Sequence, residues 1–518
     1  MTRADFTRRA LLLAGLGGAA CLAPACRSSP PPSRLPVTLV RRSPGGRGRE
    51  VVNFGLPLPP GTLEDARRIR VLDADGRELP SATRPIESWA HDASMRAVQL
   101  QTEVDFGAAT TLSVALAVGE YPSATRALVP IEETLLHADG LQGPRVMALL
   151  PASWLCESRV AGPQVPVEHS GNYAAYDRAV ERHFPGSLRY VDSRVFSTWL
   201  FDRTSTWYKQ YVRSGEAKFL DAAYRAAHFV RLQTELQGPD AGIFKLKGRD
   251  LKYVYPQAMH LHALLSGDPR VHAAGETMAR YCLTRWDPWY RPERYTEPPL
   301  GADPEKDRLF WSARHAAYAL LGIAHGWEMT ADVVYLRAMR EHVDALHAHQ
   351  REPPDGRPPD GSWRQNWALY DPNETRLTGA ASPWMTALLL AALVHVWRIT
   401  DDARIPEMIV RCCDFLDRKG FQDDGDPFYI VDGFGTASVP LPPGNASEPA
   451  AIHSMELAHG LAMGIFFTRD PAQRARFRKR FEAQFARALV QDLNEPPRAY
   501  NWAFHASSEL IVLLQNAQ

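Results

Sequence analysis

Cysteine is scarce in this 518-residue chain: there are six, and the four beyond residue 26 show no metal-ligand spacing, so neither a zinc site nor a disulfide framework is expected. Net charge is absent too, because 59 basic residues balance 59 acidic ones. No global field draws the chain to nucleic acid or to an anionic membrane, and recognition must be local. There is no Gly-x-Ser-x-Gly elbow, no Walker-type phosphate loop and no Rossmann glycine pattern, which leaves esterase, ATPase and dinucleotide chemistry without support. The apolar run near the start, Leu11 to Ala20, is too short to span a bilayer.

That run comes directly after Thr7-Arg8-Arg9-Ala10 and reads as an export signal over residues 1–26, with a Ser/Pro-rich tether over 27–36. The arginine pair resembles a twin-arginine signal, and Leu22-Ala-Pro-Ala-Cys26 resembles a lipoprotein cleavage site with Cys26 as the lipidated residue. Cys21 is the rival position, and a soluble exported protein cut near Ala25 is the third alternative. The expected location is therefore outside the cytoplasm, in the periplasm, at the cell surface or secreted, with a membrane met only through an N-terminal lipid anchor. Of the remaining cysteines, Cys156, Cys282, Cys412 and Cys413, the adjacent pair falls in an amphipathic helical pattern and is expected as buried thiols.

Two textures divide the chain beyond the tether. Residues 37–129 read as strands: Val37–Val40, Ile69–Leu72, Ala97–Val104 and Thr111–Val118 alternate or run apolar between turns such as Asp73-Ala-Asp-Gly76. Residues 130–171 read as a linker with short strands, and 172–518 as helical hairpins. In the hairpins, helices carrying Trp, Tyr, His and Arg near their starts, close to Arg194, Lys252, Arg308, Ser382, Ala450 and Arg498, alternate with blander ones. The blander set covers 216–237, 270–285, 331–350, 403–418 and 471–489, and 173–184 supplies a sixth. The alternation predicts a sixfold ring, polar-aromatic helices inside and amphipathic ones outside.

The strand region carries a resemblance. Val51-Val-Asn-Phe-Gly-Leu-Pro-Leu-Pro-Pro-Gly61, Leu72-Asp-Ala-Asp-Gly-Arg-Glu-Leu-Pro80 and Glu87-Ser-Trp-Ala-His-Asp-Ala-Ser-Met-Arg96 are similar to the N-terminal RIFT-type β-barrel of exo-rhamnogalacturonan-lyase-like proteins. The last run departs from the family pattern by one inserted residue and by Ala where Gly is usual. The resemblance implies a β-barrel beside an (α/α)6 toroid of the kind found in polysaccharide lyases and glycoside hydrolases. It further implies a polysaccharide or oligosaccharide as partner, with no cofactor.

The richest local cluster is Trp311, Arg314, His315 and Tyr318, which share one helical face. Before it, Pro256 in a first helical turn gathers Asp250, Lys252, Tyr253, Tyr255 and Gln257; the two tyrosines read either as proton carriers or as packing residues. Trp363, Trp367 and Trp384 offer indoles to sugar rings, and Asn501 and Trp502 add a polar and a stacking group near the end. His453 and Glu456 stand one turn apart, but no third ligand has metal spacing, so no metal site is assigned. Three functions are compatible. A lyase working by β-elimination would use Arg314 to neutralise a uronate, His315 as base, Tyr255 as base or acid, and His453 in reserve, with Tyr253 and Asp250 beside them. A hydrolase would draw a carboxyl pair from Asp250, Asp307, Glu374 and Glu456. A glycan-binding protein would need neither.

Overall fold

In the computed structural model the described residues are 34–42, 48–138, 141–190, 193–285, 312–353, 357–366, 378–431 and 450–517. The export signal, Cys21, Cys26, Trp311, Asp307, Trp367 and Glu374 lie outside them.

The strands build two antiparallel sheets. The larger has the order β10-β1-β7-β3-β4, with β1 Leu35–Arg41, β3 Ile69–Leu72, β4 Glu78–Leu79, β7 Thr111–Val118 and β10 Val146–Leu149. The smaller has the order β2-β6-β5, with β2 Arg49–Pro57, β5 Ser81–Ser88 and β6 Met95–Asp105; β8 Leu135–Ala138 and β9 Leu141–Pro144 pair alone. Among the described residues these strands do not close into one barrel, and the expected closed barrel is corrected to separate open sheets. The edge strand β10 comes from the stretch read as a linker and pairs with β1.

Most of β2 and β6 in the smaller sheet is buried on both faces, and the sequence shows why. Val52, Phe54, Val98 and Leu100 alternate with Asn53, Gln99 and Gln101, so the pleat sends apolar and polar side chains to opposite sides. The polar side meets a helix. Asn53 accepts from Gln99 Nε2 at 2.7 Å and Gln101 Nε2 at 3.1 Å, and donates to the Ser266 carbonyl at 2.7 Å. At Gly55 the backbones come so close that a Cβ would stand 2.1 Å from the Leu264 carbonyl oxygen.

The helices come next, after α1 (Ala152–Glu157), as α2 Ala174–Leu188, α3 Arg203–Ser214, α4 Ala217–Gln233, α5 Pro256–Ser266, α6 Pro269–Arg285, α7 Ala313–Thr330, α8 Val333–Arg351, α9 Pro383–Thr400, α10 Arg404–Lys419, α11 Ser454–Phe467, α12 Pro471–Leu489, α13 Ala499–Phe504 and α14 Glu509–Gln515. Helix ends obey local chemistry. Asp202 and Ser312 cap α3 and α7 by accepting from the Ser205 and His315 amides, proline opens α5, α9 and α12, and left-handed Gly215 and Gly267 close α3 and α5. α3, α5, α7, α9, α11 and α13 each pack on the next, and α13 returns to α3, so six helices complete a circuit. α4, α6, α8, α10 and α12 pack beside them, and α2 lies against α12 and α13. Cys412 and Cys413 are buried free thiols on α10.

The Gly55 contact gives a stability test. Gly55→Ala keeps an ordinary strand conformation but drives a methyl into the Leu264 carbonyl, and should cost about 1–3 kcal/mol in denaturant unfolding. An unchanged midpoint would mean that sheet and helix are not this close.

Candidate functional site

The first turns of the six circuit helices converge on one another. The approach to α3 is bent: Phe201 and Asp202 are both left-handed, with φ of 68° and 49°. Non-glycine residues pay for such backbone with strain, which persists only where the surroundings enforce it. Here the Tyr255 hydroxyl, at the start of α5, accepts from the Phe201 amide at 2.9 Å and donates to the Lys252 carbonyl. Asn501 of α13 donates to the Thr198 and Leu200 carbonyls at 3.0 and 3.1 Å. Both residues thus hold the loop that presents Asp202.

The aromatic members link the remaining helices. Tyr255 meets Tyr318 of α7 edge-on at 5.4 Å, and the Arg314 guanidinium lies 5.1 Å from the centre of the Trp384 indole on α9. Trp384 stacks on His453 at 4.0 Å and 4°, His453 stands 4.6 Å from Trp502, and Trp502 closes on Phe201 at 5.1 Å. Arg498 covers Trp502 at 4.8 Å. Arg314, Tyr255, Trp384, His453 and Trp502 therefore belong to one buried cluster.

His315 sits at its margin, with Nδ1 2.8 Å from Ser312 Oγ and Nε2 3.8 Å from Asp250. Burial lowers the imidazole to about 4, against the opposing pull of Asp250. Burial alone would raise Asp250, but the His315 hydrogen bond and the Lys252 charge outweigh it and hold the carboxyl below its usual range. Lys252, 3.3 Å from Asp250, is brought down to about 8 by burial and by Arg314. Tyr253 faces away, edge-on to Phe196 at 5.8 Å and parallel to Phe244 at 6.5 Å, which is the packing alternative for that tyrosine. Trp363 is elsewhere: fully buried, it donates to the Leu346 carbonyl of α8 at 2.9 Å and fills the outer helix layer rather than facing this cluster.

Sequence reading missed Asp202 because Asp-x-x-Ser looks like an ordinary cap, and passed over Tyr318 as an acid. Burial raises Asp202 to about 6, only partly offset by its bonds to Ser205 and Gln257. The Glu456 carboxyl lies 2.6 Å from His453 Nδ1, and burial pushes it well above the carboxylate range while pushing His453 well below its own. Burial thus favours the uncharged form of each partner. Tyr318 feels Arg314, Glu456 and Asp202, and burial holds its phenol well above its ordinary value. Its hydroxyl, Asp202 Oδ2, His453 Nε2, Glu456 Oε1 and Asn501 Oδ1 are buried without a hydrogen-bond partner among the described residues. Such atoms call for a polar ligand or water. Among the described residues no third metal ligand joins His453 and Glu456.

Asp202 also sets a pH dependence. With a folded value near 6 against the ordinary 3.8, the folded state holds a proton that the unfolded chain releases, so stability falls as pH rises from about 4 to about 6. Asp202→Asn keeps the cap acceptor, should flatten that fall, and should gain at most about 3 kcal/mol at pH 7 in urea unfolding. Parallel pH profiles for the two proteins would refute the assignment.

No protein-family model matches the chain, and no curated protein matches it in sequence. Among solved structures it is similar to an unsaturated glucuronyl hydrolase from Bacillus sp. GL1 responsible for glycosaminoglycan degradation, at 15% identity over 62% of this chain and 87% of that one, with a TM-score of 0.44. It is also similar to an unsaturated glucuronyl hydrolase specific for heparin, at 14% identity over 66% and 96% with a TM-score of 0.43. A polysaccharide lyase overlays at 13% identity over 63% and 97%, with a TM-score of 0.40.

Proposed function

We propose that the chain is a carbohydrate-active enzyme, with its helix pairs arranged as an (α/α)6 toroid and its reaction centre in the cluster around Arg314. The substrate class is a uronic-acid-bearing polysaccharide or oligosaccharide, met outside the cytoplasm if the arginine-led leader acts as an export signal. One observation carries this reading: a buried arginine stacked on an indole, at the N-terminal ends of the circuit helices, beside acid and base groups that each keep one polar atom without a hydrogen-bond partner among the described residues. Helix N-termini favour an anion, and an arginine fork fits a carboxylate.

In a β-elimination the uronate carboxylate pairs with Arg314, which stabilises the charge that develops when the neighbouring C5 proton leaves. Asp202, with a value near 6, is suited to take that proton near neutral pH. The electron pair forms the C4–C5 double bond, the C4–O bond breaks, and the Tyr318 hydroxyl protonates the departing oxygen. His315 and Tyr255, both engaged by neighbours, take supporting places in this scheme.

Hydrolysis is the second reading, favoured by two carboxyls whose environments separate their acidities. Asp202 would activate water, and Glu456, whose protonated form burial favours, would serve as the acid. A panel of uronic and neutral polysaccharides separates the readings. Ultraviolet absorbance of an unsaturated product supports elimination, new reducing ends without absorbance support hydrolysis, and neither signal leaves glycan binding without catalysis. Arg314→Ala should lower kcat/KM on uronate substrates by about 10²–10³-fold, and Tyr318→Phe should lower kcat by about 10²–10⁴-fold. Full activity in both variants would move the reaction centre elsewhere.

A further inference from the structure

A second buried cluster lies further along the same helices, where they meet the smaller sheet. His325 comes seven residues after Tyr318, so it stands ~10 Å further along α7. His260 of α5 and Glu328 of α7 approach it from either side. The three donor atoms form a compact triangle: His260 Nδ1 to His325 Nδ1 is 3.0 Å, His325 Nδ1 to Glu328 Oε2 is 3.1 Å, and His260 Nδ1 to Glu328 Oε2 is 3.6 Å. A tetrahedral ion bound at about 2.0–2.1 Å sets its donors roughly 3.3 Å apart.

The surroundings fit the same purpose. His260 Nε2 lies 2.8 Å from Glu87 Oε2, so a proton on Nε2 donated to that carboxylate leaves Nδ1 with its lone pair directed at the triangle. A carboxylate behind a ligating imidazole is the arrangement that fixes its tautomer and strengthens it as a ligand. Glu87 itself sits at a register irregularity of β5, the kind of bulge that re-aims a side chain. Among the described residues, Glu328 Oε2 is buried and makes no regular hydrogen bond, and His395 Nε2, 3.4 Å from Glu328 Oε1, likewise has none. Arg96 bonds Glu87 at 2.8 Å and stands 3.6 Å from Glu328. It faces both carboxylates, and His272 Nε2 stands 3.7 Å from Glu87 Oε2, so Glu87 is held from two sides while Glu328 Oε2 stays in the triangle with the two imidazoles.

We propose that His260 Nδ1, His325 Nδ1 and Glu328 Oε2 bind a first-row divalent metal ion of the zinc class, joining helices α5 and α7 to the sheet through Glu87. Two imidazoles and one carboxylate suit zinc and exclude calcium or magnesium as preferred occupants. The site does not depend on the reaction proposed above, and its tests read no catalysis.

The full chain, made without a histidine tag, is dialysed with Zn2+ and then against metal-free buffer, and its metal content is measured. Co2+ loading provides an optical readout. The unaltered chain is expected to keep about one ion, to show the intense visible absorption of a four-coordinate cobalt centre, and to unfold at higher temperature with Zn2+ than without. His325→Asn and Glu328→Gln should abolish all three signals, and Glu87→Gln should weaken affinity about 10–100-fold. His91→Asn, on an exposed histidine, is the control and should change nothing. If the variants fail to fold, the cobalt spectrum of the unaltered chain still decides. No retained ion, a spectrum no stronger than that of hydrated cobalt, or retention by folded His325→Asn equal to that of the parent would overturn the site.

Discussion

Burial of the circuit helices on all sides is the constraint to which the rest of the molecule answers. Every residue of α5 is buried, and so is α11 from Ser454 to Ile465. A helix with no water-facing side must satisfy its polar groups inside the protein, because an unpaired buried polar group costs about 1–3 kcal/mol. Polar side chains are therefore gathered where helices meet: Arg314, Tyr318, His453 and Glu456 at the first turns, and His260, His325 and Glu328 farther along. Between the helices the spacing is set by small residues. At Gly464 a Cβ would lie 2.6 Å from Cys413 Sγ, and at Gly326 it would lie 2.4 Å from the Tyr335 ring.

Helical periodicity was readable because outer helices keep one polar face, and the inner ones announced themselves by aromatic and basic residues near their starts. The strands β1, β3, β6 and β7 were equally plain. Closure was not, since whether β5 pairs with anything besides β6 depends on contacts that period-two patterning does not encode. In the site, Arg314 and Trp384 were legible as chemistry-bearing types, whereas their partners depend on long-range packing. Trp363 has the same composition signal as Trp384 but lies in the outer layer, which nothing in its neighbourhood reveals. Asp202 has the sequence of a cap, and it is one; its raised pKa comes from burial by elements distant in the chain, α5 and α13 among them. The histidines of the second cluster stand 65 residues apart and meet only because α5 packs on α7.

The smaller sheet has a different standing from the larger one. Its polar face is committed to α5 through Asn53 and to the His260 cluster through Glu87, while its apolar face joins the shared core. A middle layer of this kind is not a removable module. It transmits any change in the position of α5 to the strands beneath and, in the other direction, fixes the height at which Tyr255 meets Phe201.

The bonds from Asn501 to Thr198 and Leu200 span some three hundred residues, as do those from Arg203 to the Pro497 carbonyl and from Lys209 to the His505 carbonyl. During synthesis the first circuit helix emerges long before the segment that completes it. Until α13 arrives, the bent loop at Phe201–Asp202 lacks these braces, and the apolar flank that α3 later gives to α13 stays uncovered. Loop-closure entropy makes such distant contacts late to form. The circuit is thus sealed by a segment made long after its first helix, and a nascent chain that stalls short of it exposes the surface on which misassembly begins.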